Sequence, residues 1–329
     1  MVRFLAPRDL TKLANDIKTM RIRGAAEIGR AAVDGLEVFA TGSKTVKPQT
    51  YMDQFEEVYQ LLLETRPTAV SLPNALRYVK HRVDQAYKRG MDTDELRALT
   101  VRAAEDFKKS SMEAVKRISE MGSKRIKDGD LLMTHCNSSV AISTLLEAKR
   151  SCKEFGVMVT ETRPRFQGRL TAKALIDAGI PTTLIIDSAA RNYMPKIDKV
   201  FVGADVVTAN GAVVNKIGTS QIALVAKEAR VRVFVCAETY KFSPSTVLGE
   251  LVEIEERSPE EILPKEELKK MNGLKILNPA FDVTPPELID MIITEKGLIP
   301  PQAAILILME EYGWAIGEEH IGKTLVEEE

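Results

Sequence analysis

The sequence predicts an α/β protein in which a helical N-terminal domain, residues 1–122, precedes a doubly wound parallel-sheet domain, residues 123–329. Three observations predict it. Up to about Glu120, apolar residues recur at three- and four-residue spacing with no alternating run, which is the period of amphipathic helices. From Asp130 onward, short apolar runs alternate with helical stretches, the pattern of βαβ units that build a parallel sheet. Between the first of these runs and the helix after it lies a polar turn, THCNSS, at the edge where open α/β sheets bind ligands.

In the helical part, Asp9 is placed to cap a helix running into Met20. In RIRGAAEIGR, residues 21–30, Gly24 lets the backbone turn or approach a ligand before a helix begins through Ala25 and Ala26. Arg23 together with fresh helix N–H groups suits a phosphate, although a charged face followed by a small-residue helix contact explains the stretch equally well. Arg66 lies between two helices, with Pro67 and Pro73 marking the connection, where an arginine is ordinarily solvated. Residues 85–127 read as a long amphipathic helical region, broken near Gly90 to Asp94 and ending at 121–124, where the domain boundary falls.

The predicted strands are Leu131–Cys136, Val157–Glu161, Thr182–Ile186, Lys199–Gly203 and Val231–Ala237. Cys136 sits where the first strand meets a helix, in the field of the helix N-terminus, which favours a thiolate base or nucleophile. Its other reading is a small buried hydrophobe. Asn137, Ser138 and Ser139 add donors for a phosphate or sugar oxygen. Successive strand side chains point to opposite faces, so His135 reads as structural rather than as a partner of Cys136.

Later strand ends carry Thr162, Arg163, Pro164 and Arg165, then Asp187 and Ser188, then Asp205, all positions that can converge on Cys136. Asp205, between VFVGA and VVT, sits in an apolar setting that favours a carboxyl carrying its proton near neutrality; a helix or turn cap is its other reading. In NGAVVNKIGT a turn leads to Asn215 and Lys216, then to Gly218 and a Thr219 cap on a helix through Glu228. Lys216 is placed to hold a phosphate as a point charge, and Lys241 in ETYKFSP is a second candidate, with an exposed lysine as its default reading. Residues 250–270 read as a polar surface excursion, and residues 278–286 as a loop in which Thr284 caps a helix with Pro285 in its first turn. The last helix, Pro300 to Tyr312, reads as buried in a core or subunit interface, and the closing VEEE as frayed.

Composition narrows the function. Lys plus Arg number 46 against 47 Asp plus Glu, so no basic field points to nucleic acid as a partner. Cys136, Cys152 and Cys236 lack CxxC spacing, and His81, His135 and His320 form no HxxxH pair. Neither a disulfide framework nor a metal is implied, and a reducing cytoplasm fits. No GxGxxG follows the first strand and no GxxxxGK[ST] occurs, so neither a dinucleotide cofactor nor a nucleoside triphosphate is supported. MVRFLAPRDL lacks a long apolar region and no apolar run reaches membrane-spanning length, so no membrane partner is expected.

RGAAEIG, THCNSS, TETRPRFQG, GADVVTANGAVVNKIGT, CAETYKFSP and NPAFDVTPPELI, in order over nearly the whole chain, resemble the family uniting sugar-phosphate isomerases with the regulatory subunits of translation initiation factor 2B. The resemblance implies a Rossmann-like second domain and an enzyme without a cofactor, in which Cys136 and Asp205 are catalytic; the regulatory subunits generally lack that cysteine. Methylthioribose-1-phosphate isomerases usually read RGAPAIG and THCNTG, whereas RGAAEIG and THCNSS look more like the branch acting on a ribose bisphosphate in nucleoside monophosphate degradation. A second phosphate uses more cations, which Arg23, Arg66, Arg163, Lys216 and Lys241 supply, with Gly24, Ala25, Ala26, Asn137, Ser138, Ser139 and Asn215 completing the substrate-binding set. The resemblance further implies a homo-oligomer of dimers forming a hexamer, and the pathway it points to makes AMP a candidate activator. Methylthioribose-1-phosphate isomerase and a non-catalytic regulatory subunit stand as alternatives. In the implied chemistry Asp205 protonates the ring oxygen and a Cys136 thiolate carries a proton from C2 to C1; a hydride shift is the rival.

Overall fold

A computed structural model describes residues 8–313. It divides into two compact units, Met1–Ala114 and Val115–Glu329. The first is helical: α1 (Arg8–Lys18), α2 (Ala25–Gly42), α3 (Pro48–Leu63), α4 (Ser71–Lys88) and α5 (Thr93–Ser123), the last continuing into the second unit. Helix α1 ends short of Met20, whose backbone is left-handed at φ 59°, and Asp9 lies within its first turn rather than before it. Small residues let α2 sit close to its neighbours: a Cβ on Gly35 would lie 2.8 Å from the Leu62 methyls of α3.

The second unit alternates strand and helix. β1 (Leu131–Thr134), α6 (Ser139–Arg150), β2 (Gly156–Thr160), α7 (Gln167–Asp177), β3 (Thr182–Ile185), α8 (Ala190–Tyr193) and β4 (Lys199–Gly203) come first. Then follow β5 (Val206–Val207), β6 (Val213–Lys216), α9 (Thr219–Glu228), β7 (Arg232–Cys236), α10 (Lys265–Leu268), β8 (Phe281–Thr284), β9 (Met291–Thr294) and β10 (Gly297–Ile299). The main sheet has seven strands in the order β10-β9-β7-β4-β1-β2-β3; all its pairs are parallel except the edge pair β10 with β9. The expected α/β architecture is thus the observed one, with two strands added to the five expected, the parallel β9 and the antiparallel edge strand β10.

Alternation along the central strands explains why both sheet faces are covered. Leu132, Phe201 and Phe234 face one way, into a core with Leu145 of α6 and Leu175 of α7. Met133, Val200, Val202, Val233 and Val235 face the other way, against Ile222 of α9 and Ile307 and Leu308 of the closing helix. Phe201 and Phe234 stack with centroids 5.1 Å apart, and truncating either ring would cost about 3–5 kcal/mol.

A second sheet, β5-β6-β8, is antiparallel and built by an Asn210–Gly211 hairpin turn, with Gly211 at φ 83°. Residues 278–286 are therefore not a loop leading to a helix. Phe281–Thr284 pairs with β6, Thr284 is buried on that strand, and Pro286–Leu288 forms only a short 3₁₀ turn. The closing helix runs from residue 304 to 313, the last described residue, with Leu306 and Met309 exposed and Ile307 and Leu308 buried; it is half buried rather than wholly so. VEEE, His320 and residues 1–7 lie outside the described residues. Among the described residues no helix is long and apolar enough to cross a membrane.

Candidate active site

The strand order reverses between β1 and β4. From β1 the chain winds outward to β2 and β3, then returns to β4 on the other side of β1. The carboxyl ends of two adjacent parallel strands on either side of such a reversal leave a crevice. Cys136 follows β1 and Asp205 follows β4, so the sequence reading and the topology select the same place.

Cys136 is buried and free, with a left-handed backbone at φ 65°. Its N–H donates to Thr162 Oγ1 at 2.9 Å, and its carbonyl accepts the Thr171 hydroxyl of α7 at 2.7 Å. Burial pushes the thiol up to about 12; Lys216 and the Asn137 backbone pull it down, and Asp205 and Asp187 add to the rise. The expected helix-terminus stabilisation of a thiolate is thus outweighed by desolvation, and at neutral pH the residue is a thiol.

His135 is neutral, because burial holds it below the ordinary 6.5. Its Nε2 donates to the Ile217 carbonyl at 2.8 Å, which leaves Nδ1 to accept the Thr160 hydroxyl at 2.6 Å. A Cβ on Gly218, where φ is 102°, would lie 3.1 Å from this ring. His135 therefore locks the end of β1 to β2 and to the turn before α9, in keeping with its structural reading.

Ser138 caps α6, accepting the Ala141 N–H at 3.4 Å, while Asn137 and Ser139 are exposed and Asn137 Oδ1 accepts from Thr171. Gly203 at the end of β4 makes room for this cap, since a Cβ there would come within 2.2 Å of Ser138 Oγ. Arg163 is exposed, with its guanidinium 5.1 Å from the Phe166 ring centroid. Asp205 is half buried and donates its backbone N–H to Val214 at 3.0 Å, which ties it to β6.

Lys216 Nζ donates to the Ala280 carbonyl at 2.8 Å and lies 4.5 Å from the Phe281 ring centroid. Asn215 is buried and donates to Thr219 Oγ1 at 3.0 Å. Thr219 is the first residue of α9 rather than its cap; Asp282 of β8 accepts the N–H groups of Gly218 and Ser220 instead, and burial raises its carboxyl. Lys241 is not the exposed lysine its position suggests. It is 4 % exposed, with Nζ 2.6 Å from Glu238 Oε2, and the Tyr240 hydroxyl donates to the other Glu238 oxygen at 3.0 Å.

The second unit thus brings Cys136 under the influence of Asp205, Asp187 and Lys216, with Ser138 beside Gly203. In the first unit, Gly24 precedes α2 at φ 92° with open space around its Cβ position, Ala25 begins the helix, Ala26 is buried and Arg23 is exposed. Arg66 is half buried in the turn between α3 and α4, its carbonyl accepting the Ala69 N–H. Thr171, Gly203, Asp282 and Glu238 are the neighbours that the linear reading missed. Gly203, Glu238 and Asp282 lay in the motifs GADVVTANGAVVNKIGT, CAETYKFSP and NPAFDVTPPELI, but nothing local set them apart, and Thr171 lay in none.

The model of the Initiation factor 2 subunit family matches residues 21–301. The chain is 53% identical to a ribose 1,5-bisphosphate isomerase of Thermococcus kodakarensis, over 94% of this chain and 96% of that one. It also resembles two solved structures from Pyrococcus horikoshii. One is translation initiation factor eIF-2B, with a TM-score of 0.77 and 29% identity over 91% of this chain and 99% of that one. The other is 5-methylthioribose 1-phosphate isomerase, with a TM-score of 0.75 and 32% identity over 92% and 87%.

Proposed function

The chain belongs to the Initiation factor 2 subunit family, and from that premise we propose that it is an isomerase converting α-D-ribose 1,5-bisphosphate to D-ribulose 1,5-bisphosphate. The observation that carries this reading is the Cys136–Asp205 pair at the carboxyl ends of adjacent parallel strands β1 and β4, with the Lys216 charge acting on the same thiol. The relative named for that activity is 53% identical across nearly its full length, which favours it over the methylthioribose substrate.

A sugar phosphorylated on C1 cannot open to a free aldehyde, so the ring oxygen must be protonated while the phosphate stays attached. Asp205 donates that proton, and the C1–ring oxygen bond breaks to leave an electron-poor C1. In one route a Cys136 thiolate removes the proton from C2, giving an enol, and returns it to C1 as the O2 proton passes to Asp205. In the other, hydrogen moves from C2 to C1 as hydride while Asp205 takes the O2 proton, and Cys136 remains a thiol. The raised Cys136 thiol favours the hydride route, because the base role needs a thiolate that burial opposes. Lys216 serves as a point charge for a phosphate, with Asn137, Ser138, Ser139, Arg163 and Asn215 as further binding groups. Arg23, Gly24, Ala25, Ala26 and Arg66 contribute an arginine and glycine-led helix start suited to an anion. Lys241, already paired with Glu238, binds a phosphate only if that ion pair opens.

The reaction takes place in the cytoplasm within nucleoside monophosphate degradation, in a homo-oligomer of dimers forming a hexamer, with AMP as activator. The test is turnover of α-ribose 1,5-bisphosphate beside methylthioribose 1-phosphate, with ribulose 1,5-bisphosphate detected through its carboxylase. Product from the bisphosphate alone supports the reading. Product from methylthioribose 1-phosphate alone replaces the substrate, and no product from either replaces the enzyme with a regulatory subunit.

A further inference from the structure

The segments leaving three neighbouring strands, β1, β2 and β3, are tied together by one carboxylate. Asp187, just past β3, accepts the backbone N–H of Thr162 on Oδ1 at 2.8 Å and that of Arg163 on Oδ2 at 2.7 Å. Thr162 in turn accepts the Cys136 N–H on its Oγ1 at 2.9 Å. Two residues in this chain of contacts are left-handed, Thr162 at φ 61° and Cys136 at φ 65°. That conformation is unfavourable for a residue with a side chain and most of all for a β-branched one, so something must hold it. Two charge-assisted bonds to consecutive N–H groups are a suitable restraint. Asp187 opens a 3₁₀ turn, Asp187–Ala189, which has no side-chain cap; its carboxylate reaches the neighbouring strand's loop instead.

We propose that Asp187 is a positioning residue of this site: it fixes the Thr162 backbone, through Thr162 the Cys136 backbone, and by direct contact the start of the Arg163 loop. The proposal rests on the isomerase reading for its kinetic consequence, but its geometric content stands apart from it. Charged groups acting on the thiol are Asp187 itself, Asp205 and Lys216, and Asp187 also acts on the neighbouring His135. Removing the Asp187 charge therefore has two readable effects at Cys136: a looser backbone and a thiol that ionises more easily.

The experiment uses the full chain and the variant Asp187→Asn, which keeps the size but can accept through only one oxygen. Expected results are a fall in kcat of about tenfold or more with KM within about threefold, and a melting temperature near wild type. Iodoacetamide labelling, followed peptide by peptide by mass spectrometry, should show Cys136 reacting several times faster at each pH from about 7 to about 9. Cys236, wholly buried, is the internal control and should label no faster than in wild type. Unchanged kcat together with unchanged Cys136 labelling overturns the proposal. So does faster labelling of Cys236 in step with Cys136, which would mean a loosened fold. If wild type turns over no bisphosphate, the isomerase reading fails by itself, and the labelling comparison alone decides the positioning role.

Discussion

Burial pushes the Cys136 thiol up to about 12, and the Lys216 ammonium is the charge that works against it. Cys136 follows β1 and Lys216 ends β6, so their pairing exists only in the fold. Lys216→Met should raise the thiol further and slow iodoacetamide labelling of Cys136 severalfold at fixed alkaline pH, with Cys236 labelling unchanged. Labelling that stays at the wild-type rate would mean that the two groups do not interact.

The protonation state of Cys136 separates the two isomerisation routes. With substrate carrying deuterium at C2, the hydride route, in which Cys136 stays a thiol and helps by position and polarity, predicts that the label is retained at C1 of the ribulose product. Washout of the label into solvent would instead assign Cys136 the base role and require substrate binding to draw the thiol down.

His135 links the interior of the site to pH. Its folded value lies below the unfolded 6.5 because burial opposes the imidazolium. The stability it contributes is therefore present above the unfolded value and lost as pH falls through the depressed folded one, since only the unfolded chain binds the proton. His135→Gln should melt lower than wild type near pH 7, by about 1–3 kcal/mol for the disrupted Thr160 and Ile217 bonds. The gap should narrow on going to about pH 5, where wild type bears the cost of protonating or unfolding. A gap that stays constant with pH would contradict the buried neutral histidine.

Gly203 is tested by adding one methyl. In Gly203→Ala the new Cβ would sit 2.2 Å from Ser138 Oγ and 2.6 Å from its Cβ, so the cap of α6 must shift. The expected cost is about 1–3 kcal/mol of stability, with a rise in KM because Asn137, Ser138 and Ser139 move together. Wild-type KM and melting temperature in this variant would mean that the cap is more yielding than its packing implies.

Five of the parallel strands were legible because they are short apolar runs, most of them bounded by Gly, Pro or Asp, as at Gly129 before Leu131 and Pro181 before Thr182, whereas β9, parallel to β7, was not, because the Pro285–Pro286 pair before it reads as a helix start. The small antiparallel sheet was not. β5 is only Val206–Val207, and β8 lies between Pro279 and the Pro285–Pro286 pair, punctuation that reads as a loop. Cys136 and Asp205 could be singled out because strand ends are where open α/β sheets bind ligands, and the motif resemblance marked the same two. The thiol's state could not be read that way: a helix terminus is visible in sequence, whereas the burial that outweighs it exists only in the fold, where Thr162 and Thr171, far along the chain, bond to Cys136. Lys241 is a similar case, because its partner Glu238 is near in sequence but only the 3₁₀ turn Thr239–Lys241 brings the two side chains together in the interior.

The central claim is that Asp205 and Cys136 convert a ribose bisphosphate. The most direct measurement is ribulose 1,5-bisphosphate formation from α-ribose 1,5-bisphosphate by wild type, Asp205→Asn and Cys136→Ser at matched concentration, with melting curves alongside. The account predicts steady product from wild type, a loss of about 10²–10⁴ in kcat for Asp205→Asn, a marked loss for Cys136→Ser, and unchanged melting in both. No product from wild type, or near-normal turnover by Asp205→Asn, would contradict it.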